Sequence, residues 1–353
     1  MSALCSVMVL SKDGISQLKD QMQVAAPMML VFDNFRFDEW ENGMHDARTQ
    51  AVLLDAAKLT QKQLKAMQEA VLSGQWRAEV PLYLWDEGGS KQVFCPSARL
   101  LDTPRRDAAA VVAAIAADLQ QKALTPFYSA LKNYVDKKPD SWHTPGHSNG
   151  DSLRQSAWGS DFYHFVGQSM WQADLSVSVQ SLDSLLHPEG VIAEAQDLAA
   201  QAFGARHTYF ATNGSSTANK VILQSLLTPG DTLLLDRNCH KSVHHGVILS
   251  GARPVYLDSS INKALGLFGL VPQKTVLQAI EANPHARALI LTSSTYDGMC
   301  YDLKPIIQAA HDHGIKVIID EAWYGFARFH PAFRPTALEL GADYVTQSTH
   351  KTM

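Results

Sequence analysis

Cysteine is scarce in this sequence. The 353 residues hold only Cys5, Cys95, Cys239 and Cys300, far apart and without a C-x-x-C pair. That spacing argues against a disulfide framework or a zinc knuckle and fits a reducing cytosol. Basic charge is scarce too: 30 Lys and Arg stand against 35 Asp and Glu, a net charge of −5. With no basic run or stripe, nothing marks a nucleic-acid partner. Long apolar runs are missing, so no membrane-spanning helix is expected. The opening stretch MSALCSVMVLSKDG lacks a basic region and a cleavage pattern. It reads as a first strand rather than a secretory signal. Internal repeats and low-complexity tracts are absent as well. What remains is an ordinary globular composition, 46% hydrophobic and 18% charged, expected in the cytoplasm.

The first third alternates strand and helix patterns. Ala3–Leu10, Met28–Phe32, Ala51–Leu54, Val80–Leu84 and Gln92–Ala98 read as strands. Gly14–Val24, Leu59–Leu72 and Asp107–Leu124 read as helices. Short apolar strands separated by helices imply a parallel sheet covered on both faces, a flavodoxin- or receiver-like α/β domain over 1–124. Asp55 sits where a receiver carries its phosphoacceptor. The other receiver positions offer Ser11-Lys12-Asp13 and Pro96-Ser97-Ala98 in place of an acidic pair and a lysine. The expectation is a structural wing.

Periodicity breaks over 125–172, which is expected to be a linker or oligomerisation segment. It contains Trp142-His-Thr-Pro-Gly-His147. His143 and His147 are four apart, but Pro145-Gly146 between them makes a turn rather than a helix face, so no metal is expected.

The βα rhythm returns over 173–353. Strands are expected at His207–Thr212, Thr232–Asp236, Arg253–Leu257, Ala288–Thr292, Lys316–Asp320 and Tyr344–Gln347, with helices between them. Ligands of open α/β sheets bind at the carboxyl ends of strands, so the chemistry should be there. Thr212-Asn-Gly-Ser-Ser-Thr217 opens a helix with Ser215 and Ser216 at its positive end. This is either a phosphate cup or a capped helix without a ligand. It lacks the Gly-Lys-Ser/Thr of a nucleotide P-loop. His240 begins the next helix, as a functional imidazole or simply a helix-start residue. Val317-Ile-Ile-Asp-Glu-Ala-Trp323 delivers Asp320, Glu321 and Trp323 to a strand end with no cation in the strand. The last strand delivers Ser348, His350 and Lys351. A phosphate cup, an imidazole, a buried acid and a lysine meet the needs of one ligand, pyridoxal 5′-phosphate.

Seven stretches carry a family resemblance: WHTPGH, DLSVSVQSLDSLLHP, TYFATNGSSTANK, DRNCHKS, STYDG, IDEAWYGFARFHP and TQSTHK. With them the chain resembles the bacterial inducible-type ornithine/lysine/arginine decarboxylases of the aspartate-aminotransferase fold class. The resemblance implies a receiver-like wing followed by a fold-type-I large domain. It implies that Ser215 and Ser216 hold the cofactor phosphate with Ser348 and His350 close by. It further implies that His240 stacks on the ring, Trp323 lies beside it, Asp320 pairs with the pyridine nitrogen and Lys351 is the Schiff-base lysine. Asp320, Lys351, His240 and His350 are thus the catalytic candidates. Family members continue past the lysine, so the expectation is a chain cut just after it, inactive alone, from a homodimer or larger homo-oligomer. The implied reaction is decarboxylation of arginine, lysine or ornithine, with a slight tilt to arginine. The rival readings are an aminotransferase or aldolase of the same fold, or a non-catalytic truncated chain.

Overall fold

The computed structural model of the chain describes residues 5–11, 30–46, 48–55, 59–73, 76, 80–85, 98–101, 108–176 and 179–352. The helix expected at Gly14–Val24 and most of the strand expected at Gln92–Ala98 lie outside them. By its contacts the chain divides into two compact units, Gln121–Phe210 and the pair Met1–Gln120 with Ala211–Met353.

Within the second of these units, the N-terminal sheet contains β1 (Cys5–Ser11), β2 (Leu30–Arg36), β3 (Thr49–Asp55), β4 (Leu82–Trp85) and β5 (Ala98–Leu101). All neighbours are parallel, in the order β2-β1-β3-β4-β5. That is the flavodoxin-like strand order the sequence pattern implies. Both faces are apolar because both are covered. Val7, Val9, Phe32 and Leu53 meet the helix Ala108–Lys122 through Val111, Val112, Ile115 and Leu119, one stripe at helical spacing. Met8, Leu10, Val52 and Leu54 meet the helix Gln61–Leu72 through Leu64 and Met67. Thr60 starts that helix with a capping box: its hydroxyl accepts from the Gln63 N–H, and its own N–H donates to the Gln63 side chain.

The second sheet contains β6 (Thr232–Asp236), β7 (Arg253–Leu257), β10 (Ala288–Thr292), β11 (Lys316–Glu321) and β12 (Tyr344–Gln347). It is again all parallel, in the order β12-β11-β10-β6-β7. A two-stranded hairpin of β8 (Ile261–Asn262) and β9 (Leu267–Phe268) follows β7 in the chain. One face packs on the helices Gln273–Ala282 and Leu303–Asp312, the other on Ser215–Leu226 and Lys241–Ser250. Val317, Ile318 and Ile319 of β11 are wholly buried, each contributing roughly 2 kcal/mol. The ladder pairs Thr292 with Asp320 and Asp320 with Thr346, bringing three strand ends to one level.

The strand expected at His207–Thr212 does not form. Tyr209 is 81% and Phe210 is 44% exposed. An extended segment needs a neighbour to accept its backbone hydrogen bonds and cover its side chains, and this one pairs with no described strand. Its C-terminal turn is nevertheless present, with Gly214 at positive φ.

Residues 125–172 are mostly helical: Pro126–Asp136, Asp151–Arg154, Ser160–Val166 and Gln168–Ala173. Pro126 takes the first helical position, where its missing N–H costs nothing. In the turn after Trp142, His147 accepts the Gly150 N–H at Nδ1 (3.0 Å) and reaches Asp174 through Nε2 (3.3 Å). Both ring nitrogens thus serve the loop itself. In the same unit Asp183 starts the helix Val191–Phe203. Burial alone would raise its carboxyl, but the N–H groups of Ser184, Glu189, Gly190 and Ile192 hold it at about 2. Among the described residues no helix is long and apolar enough to cross a membrane.

Candidate functional site

The residues singled out from sequence gather at the carboxyl edge of the second sheet. Gly214 precedes the helix Ser215–Leu226 at φ 72°, a conformation that side-chain-bearing residues rarely adopt. A Cβ there would meet open space, so conformation rather than crowding selects glycine. The helix begins without a side-chain cap and without an acid in its first turn. Its first N–H groups and its positive dipole end are therefore available to an anion. Ser215 is buried, and its hydroxyl receives the Ser348 hydroxyl at 2.9 Å, joining the start of this helix to the segment after β12. Ser216 follows, half-buried.

Asp320 is 2% exposed. The Ala322 N–H donates to Oδ1 (2.9 Å), and the Asn219 side-chain amide donates to Oδ2 (2.8 Å). The Thr346 hydroxyl is 3.4 Å from Oδ1. All of these partners are neutral; among the described residues no cation pairs with this acid. Burying a carboxylate with neutral partners alone is costly, so Asp320 is an acid that a cationic group would stabilise.

His240 caps the helix Lys241–Ser250: its Nδ1 accepts the Ser242 N–H at 3.2 Å and lies 2.8 Å from the Ser242 hydroxyl. The ring is otherwise exposed. The helix-start role and a functional role are compatible, since the cap uses only one edge of the imidazole. Before it, Cys239 is buried, and burial followed by the charges of Asp236 and Asp320 pushes its thiol up to about 12. It stays protonated and is no nucleophile.

Trp323 stacks on Tyr296 with ring centroids 5.1 Å apart and planes 27° apart, linking the end of β11 to the polar turn after β10. At the start of that turn, Ser293 keeps a buried hydroxyl that pairs with no described residue. His350 and Lys351 are exposed on the short helix Thr349–Thr352 directly after β12.

Sequence reading missed Asn219, Ser242 and Thr346. All three are buried polar residues, and they connect Asp320 to His240. It also gave no role to Glu321, 3% exposed, whose carboxylate receives the Gln347 amide at 2.8 Å. Burial, set against the hydrogen bonds of Gln347 and the Ala337 N–H, raises the Glu321 carboxyl to about 7; the neighbouring Asp320 charge adds to the rise.

The family model of the Orn/Lys/Arg decarboxylase major domain matches residues 125–353, more than half of the chain. The chain belongs to the Orn/Lys/Arg decarboxylase family. Among curated relatives in this family, a lysine decarboxylase of Pseudomonas aeruginosa is 41% identical over 248 residues, spanning 65% of this chain and 33% of the relative. An arginine decarboxylase of Bacillus cereus is 38% identical over 227 residues, 64% of this chain and 48% of the relative. The inducible ornithine decarboxylase of Escherichia coli is 36% identical over 248 residues, 64% of this chain and 34% of the relative. Among solved structures, lysine decarboxylase A of Pseudomonas aeruginosa superposes with a TM-score of 0.59 at 29% identity, covering 99% of this chain and 52% of that one. The constitutive lysine decarboxylase of E. coli gives a TM-score of 0.58 at 27% identity with the same coverage. This chain therefore spans about half the length of those solved structures and a third to a half of the curated relatives.

Proposed function

We propose that this chain carries the cofactor-binding region of a pyridoxal 5′-phosphate-dependent decarboxylase acting on a basic amino acid: arginine, lysine or ornithine. The observation that carries the reading is Asp320, a buried carboxylate with neutral partners only, facing the same strand ends as an uncapped helix start and a lysine. A bound pyridinium is the cation that this acid lacks.

When bound, the cofactor supplies an electron sink for the bond being broken. In this assignment Ser215, Ser216 and the N–H groups at the helix start hold its phosphate, with Ser348 and His350 beside it. Asp320 would pair with the ring nitrogen, with His240 on the ring face and Trp323 beside it. Lys351 would supply the amine that reacts with the cofactor's aldehyde. The substrate then loses the bond between Cα and its carboxylate. One amino acid and one proton become one amine and one carbon dioxide.

The same reading divides the chain into a receiver-like wing over 1–124, a linker or oligomerisation segment over 125–172 and the cofactor domain over 173–353. The protein is a cytoplasmic homodimer or larger homo-oligomer. The test is incubation of the full-length product of the gene with the cofactor and each of the three amino acids, following labelled carbon dioxide and the amine. Release from at least one is expected. Transamination without carbon dioxide would overturn the reading in favour of an aminotransferase.

A further inference from the structure

We propose that Asn219 is a positioning residue that locks the acid and the imidazole of the site into one hydrogen-bonded chain. For its meaning in catalysis the inference rests on the roles given above to Asp320 and His240; the chain itself rests on distances. Asn219 lies 1% exposed in the helix Ser215–Leu226, one turn after Ser215. The Thr346 hydroxyl donates to its Oδ1 at 2.8 Å. Its Nδ2 donates both hydrogens, one to Asp320 Oδ2 at 2.8 Å and one to the Ser242 hydroxyl oxygen at 3.1 Å.

This set of partners leaves one orientation for the amide. Turned over, Asn219 would aim its carbonyl oxygen at the Asp320 carboxylate. The consequence passes on to Ser242. Because its oxygen accepts from Asn219, its hydrogen is directed to the other near acceptor, His240 Nδ1, 2.8 Å away. The Ser242 N–H reaches the same nitrogen at 3.2 Å. Nδ1 is thereby an acceptor, and the neutral ring carries its proton on Nε2. One buried amide thus couples strands β11 and β12 to the start of the helix Lys241–Ser250. It fixes the Asp320 carboxylate and sets which edge of the imidazole can donate.

The chain can be tested on the protein without cofactor, so its failure leaves the decarboxylase reading untouched, whereas failure to take up pyridoxal phosphate would count against that reading alone. Nitrogen-15 NMR of histidine-labelled protein reads the His240 tautomer, with His240→Gln assigning the signal. The wild type should show Nε2–H alone. Asn219→Leu cuts both arms and leaves the Ser242 hydroxyl free to accept instead of donate. The ratio of the two tautomers should then fall about fivefold, the worth of one ordinary hydrogen bond. If Asn219→Leu does not fold by circular dichroism, Ser242→Ala removes the hydroxyl alone and should give the same fall. A folded variant that retains the wild-type tautomer would mean that the Ser242 N–H suffices, and the proposal would be overturned.

Discussion

Replacing Glu321 by Gln should change how the protein's stability responds to pH. Glu321 is 3% exposed at the end of β11, and its carboxyl is raised from an ordinary 4.5 to about 7. The folded state thus holds a proton that the unfolded state has already released. Below about 4.5 both states are protonated, and the preference for the folded carboxyl is fully present. Between 4.5 and 7 the unfolded state ionises first, so stability falls with rising pH; above 7 the loss is complete. Taken at about 1.4 kcal/mol for each tenfold change in proton affinity, the loss reaches roughly 3 kcal/mol. Gln keeps the shape, and its carbonyl oxygen can still accept from Gln347, but it has no proton to lose. Urea unfolding of both proteins from pH 4.5 to 8 gives the comparison directly. The variant should gain on the wild type between pH 4.5 and about 7 and level off above that. A stability difference that stays flat with pH would show that the buried carboxyl is ionised throughout, and the argument from burial would fail.

Three further outcomes are expected. Borohydride reduction in the presence of pyridoxal phosphate should attach the cofactor to the peptide containing Lys351, and peptide mapping that finds it elsewhere would contradict the assignment. In the full-length enzyme Asp320→Asn removes the charge but not the shape; cofactor absorbance should persist while turnover falls by on the order of 100-fold or more, as for other preorganised charges. Near-normal kcat would refute the pairing. Ser215→Ala and Ser348→Ala should each weaken cofactor binding by about ten- to a hundredfold, since a hydrogen bond to a charged group contributes roughly 1.5–3 kcal/mol. Equilibrium titration that shows unchanged Kd would remove them from the phosphate site.

How much of this is legible in the sequence depends on how local the cause is. Val317-Ile318-Ile319 announces a strand buried on both faces, and the run of such strands announces the parallel sheet. The positive φ of Gly214 and the helix after it are equally local. His207–Thr212 has the alternation of a strand, but pairing is a property of the neighbour, and no described neighbour pairs with it. Asn219 shows the opposite failure. An Asn inside a helix carries no local signal, and its partners Asp320 and Thr346 lie 101 and 127 positions away. Only the folded sheet brings them together. His240 stood between two readings, a helix start and a functional ring, and the cap geometry accommodates both.

Among the described residues β12 has one strand neighbour and is four residues long, the kind of element that peels away from a sheet first. Three side-chain bonds rivet it: Thr346 to Asn219, Gln347 to Glu321 and Ser348 to Ser215. The last of these meets the helix start offered to an anion. A phosphate seated there would bridge the two serines and hold the strand down, so occupancy and edge opening become opposed equilibria. Deuterium uptake at the amides of residues 344–351 should therefore slow as phosphate or cofactor is added, while the wing sheet exchanges as before. In that sense the ligand would act as a clasp for the fold before any chemistry takes place.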